Sequence, residues 1–282
     1  MLAALCVNQS RRRWKRFRLR PPAVKADLVR AGSGQYLKIT AETGRGGVLD
    51  WTAIRRGAGR EAGRLLLPRG VNPPIDSGIM PFAGIELARR LMELAAVAML
   101  EIVAVNPRIV KISIYDLQAT MPDLPISFLP FASEVCVVTL YPHRYAQQQY
   151  EAMHRYGAVL NVTNNSDCIS GSLLVLVPND MGMDFKEKLS AKGWVLCARN
   201  FSYSKKNTKG IIYGFIPRLS HKLLAAVPPG CDALQFMAGL YELSGVHEIA
   251  DKPPEFMQTG GRTITLKDAA WMLAGIDIGI SV

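Results

Sequence analysis

Residues Glu134–Val162 read EVCVVTLYPHRYAQQQYEAMHRYGAVLNV. The stretch opens on an apolar run, Glu134–Tyr141, rich in valine. A polar segment of helical composition follows, Arg144–Tyr156, with Tyr145, Gln149, Ala152, Met153 and Tyr156 as its expected inner face. A second apolar run, Ala158–Val162, closes it and stops at Thr163-Asn-Asn-Ser-Asp167. Strands that are apolar on both faces need cover on both faces, and helices between them supply it.

The same alternation extends in both directions. Val110–Tyr115 is an apolar run ending at Asp116, and Leu173–Val177 is another, stopped by Pro178-Asn-Asp180. Asp184–Lys192 reads as a short helix with Gly193 as its stop, and Trp194–Ala198 and Gly210–Ile216 read as strands. Upstream, Gly84–Glu101 is the clearest helix, with Ile85, Ala88, Leu91, Met92, Ala95, Met99 and Ile102 at helical spacing. Glu86, Arg89, Arg90 and Glu93 are expected on its wet side, and Asn106-Pro107 stops it. The expected fold is α/β, with a Rossmann-like, mostly parallel sheet flanked by helices and preceded by a small basic β-rich segment. The expected domains are residues 1–83, the basic segment; 84–219, the Rossmann-like core; and 220–282, C-terminal helices packing on the core. Those helices are Ser220–Ala226, Asp232–Leu243 and Leu266–Ala274, the last capped by Thr265 with Asp268 in its first turn.

Charge is segregated. Residues 1–70 hold 16 Lys/Arg and 4 Asp/Glu, a net of +12, and residues 71–282 hold 18 and 19, a net of −1. Segregated charge points to an anionic partner for one part of the chain. Ser10–Arg20 reads SRRRWKRFRLR, a basic arm or edge strand, and Tyr36–Thr40 alternates like a half-buried strand. The first 50 residues are expected to form a small antiparallel β-unit. Asp50 is placed to cap a short helix from Trp51 to Arg60, with Trp51 and Ile54 inside. Arg11, Arg12 and Arg13, and Arg55, Arg56 and Arg60 around Gly57–Gly59, are the anion-binding candidates, because arginine forks suit phosphate and carboxylate.

Ligands of open parallel sheets lie beyond the carboxyl ends of the strands. That rule selects Asp116, His143, Asn164, Asn165, Asp167, Asn179 and Asp180 as ligand-binding candidates. No GxGxxG follows any of these strands and no GxxxxGK[ST] occurs, so the sequence names no cofactor. The four histidines have no metal-ligand spacing, and no metal site is expected. No catalytic residue is assigned either; a Cys168–His143 pair requires the fold to bring the two together.

The 282 residues carry five cysteines without CxxC spacing, read as reduced thiols in a cytoplasmic setting. Met1–Val7 is too short for the apolar part of a signal peptide. Glu93 and Glu101 interrupt Leu91–Val105, so no membrane span of about 20 apolar residues is expected. The reading that results is a binding or interaction protein, with or without self-association into a homo-oligomer. Its basic N-terminal unit contacts an anionic small molecule or macromolecule. The alternatives are an enzyme holding a nucleotide-type cofactor at the strand ends, and a nucleic-acid-binding protein acting through Arg11–Arg20.

Overall fold

The computed structural model describes residues 1–8, 23–44, 47–179, 193–199 and 208–275. Its strands are β1 (Leu2–Asn8), β2 (Val24–Ala31), β3 (Gly34–Glu42), β4 (Leu65–Leu66), β5 (Lys111–Tyr115), β6 (Glu134–Val138), β7 (Leu160–Thr163), β8 (Leu174–Val177), β9 (Trp194–Cys197), β10 (Gly210–Ile216), β11 (Phe256–Thr259) and β12 (Arg262–Thr265). The described α-helices are α1 (Trp51–Ala58), α2 (Glu86–Val103), α3 (Ala146–Tyr156), α4 (His221–Ala225), α5 (Ala233–Ser244) and α6 (Leu266–Ala274). The chain forms two compact units, Met1–Leu87 with Leu219–Asp251, and Ala88–Arg218 with Lys252–Val282. Residues 220–282, grouped together in the sequence reading, are thus divided between the two.

The first unit holds a four-stranded sheet in the order β2-β3-β1-β4. β2 and β3 form an antiparallel hairpin about Gly32 and Ser33, but β1 runs parallel to both β3 and β4. The expected antiparallel β-unit is therefore a mixed sheet. Its central strand is Leu2–Asn8, whose first five residues are buried. That apolar run has a strand's role here, because two neighbours satisfy its backbone and both its faces are covered. On one face Ala3, Leu5, Ile39 and Ala41 pack with Ile54 and Ala58 of α1 and with Ala62, Leu65 and Ile79. On the other, Tyr36 meets Phe236 of α5 edge-on at 5.0 Å. Gly239 of α5 leaves room there for Leu2: a Cβ on it would lie 2.5 Å from Leu2 Cδ1. Asp50 caps α1 as expected, accepting from the Ala53 N–H at 2.9 Å.

The second unit is built on an eight-stranded sheet in the order β12-β11-β10-β9-β8-β5-β6-β7. The pairs from β7 through β10 are all parallel, and β11 and β12 add an antiparallel edge. Taken from β5, the parallel strands have the 3-2-1-4-5-6 order of a Rossmann-type doubly wound sheet. β8 and β9 are buried along their whole length, and β5 and β6 in all but their first residue. This is why they read as unbroken apolar runs. Thr265 and Asp268 form a full capping box at the start of α6. The helix read over Asp184–Lys192 lies outside the described residues.

Three features depart from the sequence pattern. In α3 the buried positions are Gln148 and Ala152, following Tyr145, while Met153 is 67% exposed and Tyr156 is exposed. Gln148 turns inward because its Nε2 donates to Asp123 Oδ1 at 2.7 Å. Arg89, expected on the wet side of α2, is only 8% exposed. Its Nε donates to the Pro178 carbonyl at 3.1 Å, and its guanidinium also binds Asn179 Oδ1. Finally, the thiols are not all reduced. Cys136 on β6 and Cys168 in the 3-10 turn Ser166–Ile169 are joined by a disulfide, leaving Cys6, Cys197 and Cys231 free. Position 168 lies 32 residues from 136 in sequence, but its turn packs on the sheet face that β6 helps to form. The compartment argument drawn from reduced thiols loses its basis.

Alkylation of the denatured, unreduced chain should therefore label Cys6, Cys197 and Cys231 only, as read by peptide mass spectrometry. Labelling of all five would remove the pairing. Loop-closure entropy over 32 positions predicts that reduction lowers stability by about 3–4 kcal/mol, measured by denaturant unfolding with and without a dithiol.

Candidate functional site

In this strand order the chain leaves β5 in one direction and re-enters the sheet at β8 on the other side. The switch point is the crevice beyond the carboxyl ends of those two strands, where doubly wound sheets bind ligands. The residues just past them are Asp116 and Asn179, and they touch. Asn179 Nδ2 donates to Asp116 Oδ1 at 2.8 Å and to Thr120 Oγ1 at 2.8 Å. Thr120 Oγ1 donates to the same carboxylate oxygen at 3.1 Å. The other oxygen, Oδ2, accepts from the Met121 N–H at 2.8 Å and the Tyr145 hydroxyl at 3.0 Å. Asp116 and Tyr145 have no solvent exposure. Burial, and then the neighbouring carboxylate, push the Tyr145 phenol far above its ordinary range, so it is a fixed donor.

A Rossmann-type pyrophosphate site needs glycines after the first strand and backbone N–H groups at a helix N-terminus. Neither is present here. The turn Asp116–Met121 contains no glycine, although Ala119 adopts a left-handed φ of 50°. It leads into a 3-10 segment, Leu124–Phe131, where an α-helix would begin in such a site. The Met121 N–H, a donor a phosphate would need, is spent on Asp116. At the end of β6, where an acidic residue would bind a ribose, stands the buried Thr139. The arrangement is a closed carboxylate centre, satisfied from inside the protein.

The remaining strand-end candidates stand apart from this centre. His143 is exposed in the 3-10 turn Pro142–Tyr145, edge-on to Tyr141 at 6.2 Å, and Arg144 lies over the same Tyr141 ring at 5.5 Å. Asn164, Asn165 and Asp167 are exposed. Asn165 caps the Ser166–Ile169 turn, accepting from the Asp167 N–H at 2.9 Å. That is a structural use for both residues. The Cys168–His143 nucleophile is ruled out in this state, because Cys168 is in the disulfide and carries no thiol. The free thiols are not activated either. Burial holds Cys6 and Cys197 above their ordinary range, and burial with Cys6 and Asp232 nearby pushes Cys231 up to about 12. Asp180 and Arg11, Arg12 and Arg13 lie outside the described residues. Arg55 and Arg56 are exposed on α1, and Arg60 is exposed in the 3-10 turn Gly59–Arg64 that follows it. Among the described residues no group of three or more His, Cys, Asp or Glu is placed to hold a metal ion.

A cleft of about 420 Å³ opens at the opposite edge of the sheet, where the strands begin. Val103, Ile109, Lys111, Leu173, Gly193 and Leu273 are among its lining. Its charged members are Lys209 and Lys111, the latter paired with Glu134 at 3.1 Å.

No protein-family profile matches the sequence, and no curated protein matches it. Among solved structures the chain is similar to the L-tryptophan dehydrogenase of Nostoc punctiforme, at 14% identity and a TM-score of 0.34. The alignment covers 84% of this chain and 64% of that one, so this chain spans less than two thirds of that enzyme. It is also similar to the shikimate dehydrogenase of Mycobacterium tuberculosis, at 10% identity and a TM-score of 0.32, over 86% of this chain and 88% of that one. Likenesses this distant carry no argument about activity.

Sequence reasoning selects Asp116 and Asn179 singly, as strand-end residues. It misses Thr120, Tyr145 and Arg89 as their partners. Arg89 lies at a helical position next to apolar Ala88 and Leu91, and burial of a charge there was the available signal.

If the centre is structural, Asp116→Ala should destabilise the chain by about 3 kcal/mol or more, because it strands several buried donors. Tyr145→Phe should cost about 1–2 kcal/mol. Denaturant unfolding measures both. An Asp116→Ala protein as stable as the parent would mean that the carboxylate is held for something other than the fold.

Proposed function

We propose that this chain is a binding protein, in which the Rossmann-like sheet is a scaffold and the basic N-terminal unit contacts an anionic ligand or partner. The observation that carries the reading is the Asp116 centre. A buried carboxylate with four donors occupies the place that a pyrophosphate takes in a dinucleotide-binding sheet. A phosphate brought there meets a negative charge and finds the local donors already spent, so the enzyme reading with a nucleotide-type cofactor loses its usual anchor.

The basic unit supports the other half of the proposal. Arg55, Arg56, Arg60 and Arg64 are all exposed. Arg69, by contrast, is tied to Asp232, the N-cap of α5. Cations that neutralise no carboxylate among the described residues are available to one brought by a ligand. The alternative basic site, Arg11–Arg20, belongs to the same reading and lies outside the described residues.

The test is thermal unfolding of the full chain against NAD, NADP, ATP and S-adenosylmethionine, with inositol hexakisphosphate as the anionic probe. A ligand at a hundred times its Kd adds about 2.7 kcal/mol, which raises the midpoint of a chain this long by about 5 °C. The expected result is a shift with the polyanion, reduced in Arg55→Gln/Arg56→Gln/Arg60→Gln, and none with the cofactors. A shift of that size with one cofactor alone would replace this reading with the enzyme.

A further inference from the structure

We infer that the surface formed by α1, the turn Gly59–Arg64 and the loop carrying Ile75 and Met80 docks on an anionic phospholipid surface. The inference rests on the anion-binding reading above and names its partner.

Ile75 is fully exposed, at 105% of its reference area, and Met80 is 63% exposed. Neither sits on a loose loop. Pro73 and Pro74 lead into the 3-10 turn Ile75–Ser77. The Ser77 hydroxyl donates to the Pro74 carbonyl at 2.6 Å and accepts from the Ile79 N–H at 3.2 Å. Ile79 is buried in the cluster under α1. Backbone bonds from Met80 N–H to Ala62 O, 2.9 Å, and from Leu65 N–H to Met80 O, 3.0 Å, fix the far end of the loop to the turn after α1. Gly78, with a φ of 67°, packs directly under the Arg55 guanidinium: a Cβ on it would lie 2.8 Å from Cζ and Nη1. So the loop is anchored by Ile79 and presents Ile75 outward beside arginines.

The charge of this surface is positive. Arg55, Arg56, Arg60 and Arg64 are exposed, and among the described residues none of them has a carboxylate within ion-pair distance. The acids nearby are Asp50, which caps α1, Glu61, which lies 3.5 Å from the chain's amino group, and Asp76, exposed in the turn. Gly59 and Gly63 leave open backbone between the arginines, with nothing within 4 Å of where a Cβ would stand.

A projecting aliphatic side chain on a loop that packs under Arg55, next to a helix and turn carrying three more exposed arginines, matches an interface with acyl chains beneath anionic headgroups. The arginines alone would suit any phosphate. Ile75 and Met80 decide for the bilayer, since a nucleic-acid backbone or a soluble polyanion buries neither.

The test is co-sedimentation of the full chain with vesicles of phosphatidylcholine alone and of phosphatidylcholine mixed with phosphatidylserine. Binding is expected only to the mixed vesicles, falling as salt rises. Each Arg→Gln change at 55, 56, 60 or 64 should weaken it by about fivefold. Ile75→Asp, which alters a side chain outside the core, should weaken it about tenfold or more, with an unchanged circular dichroism spectrum. If vesicle binding is the same in Ile75→Asp and in the quadruple arginine variant, it runs through other residues and the inference fails. Binding to inositol hexakisphosphate or RNA, with the same arginine dependence but none to vesicles, would overturn the membrane partner and leave the anion-binding reading standing. No binding to any of these probes would overturn both.

Discussion

A carboxylate can be buried only if the fold brings it enough donors to replace water. In the large sheet that requirement falls on Asp116, and meeting it ties together distant parts of the chain. The turn after β5 supplies Thr120 and the Met121 amide, the approach to α3 supplies Tyr145, and the end of β8 supplies Asn179. Asn179 in turn receives Arg89 from α2, which also holds the Pro178 carbonyl. The amide of Asn179 thus lies between a buried anion and a nearly buried cation, donating to one and accepting from the other. Because these contacts come from both halves of the doubly wound sheet, they fix how β5 and β8 end relative to each other. At the switch point the ends of β5 and β8 are thereby joined through one hydrogen-bonded centre.

The legible part of the fold was the part governed by local burial. β5, β6, β8 and β9 are covered on both faces, so their sequences are apolar without interruption and announce themselves. Gly210–Ile216 and the Thr265 capping box are likewise local signals, and the structure contains both. What escaped depends on neighbours far away in sequence. Leu2–Cys6 carries five small or apolar residues that fit several roles, and only the flanking β3 and β4 make it the centre of a sheet. The hairpin β11–β12 is the exception: its Gly260-Gly261 turn between short strands is a local signal for an antiparallel pair that the sequence reading did not use. The candidate site follows the same rule. Asp116 and Asn179 are each visible as polar residues ending apolar runs, but their contact is a consequence of strand order, which no local pattern encodes.

Arg89 and Met153 show why side-chain chemistry misleads when read one residue at a time. A charged residue on an amphipathic helix is normally placed in water. Arg89 is instead drawn inward because two acceptors, Pro178 O and Asn179 Oδ1, wait at the end of β8. The reverse holds for α3, where the inward Gln148 donates from Nε2 to Asp123 and the apolar Met153 is left outside. In both helices a polar partner on a neighbouring element draws one polar residue inward, while in α2 the apolar Leu91, Met92, Ala95 and Met99 are still buried as their spacing predicts.

The segregation of charge along the chain has a structural counterpart. The large sheet resolves its buried charge internally, Asp116 with its donors and Arg89 with its acceptors, and at the strand beginnings the partly exposed Lys111 has Glu134. Among the described residues the arginines around α1 have no such closure, whereas Arg69 is bound to the carboxylate that caps α5. Unpaired exposed cations repel one another and add nothing to stability, and a fully exposed isoleucine beside them forgoes its burial energy. Either feature alone is ordinary on a protein surface. Here the loop of Ile75 is anchored through Ile79 and Ser77, and its Gly78 packs under Arg55; the proposed anionic, apolar partner would cover both features at once.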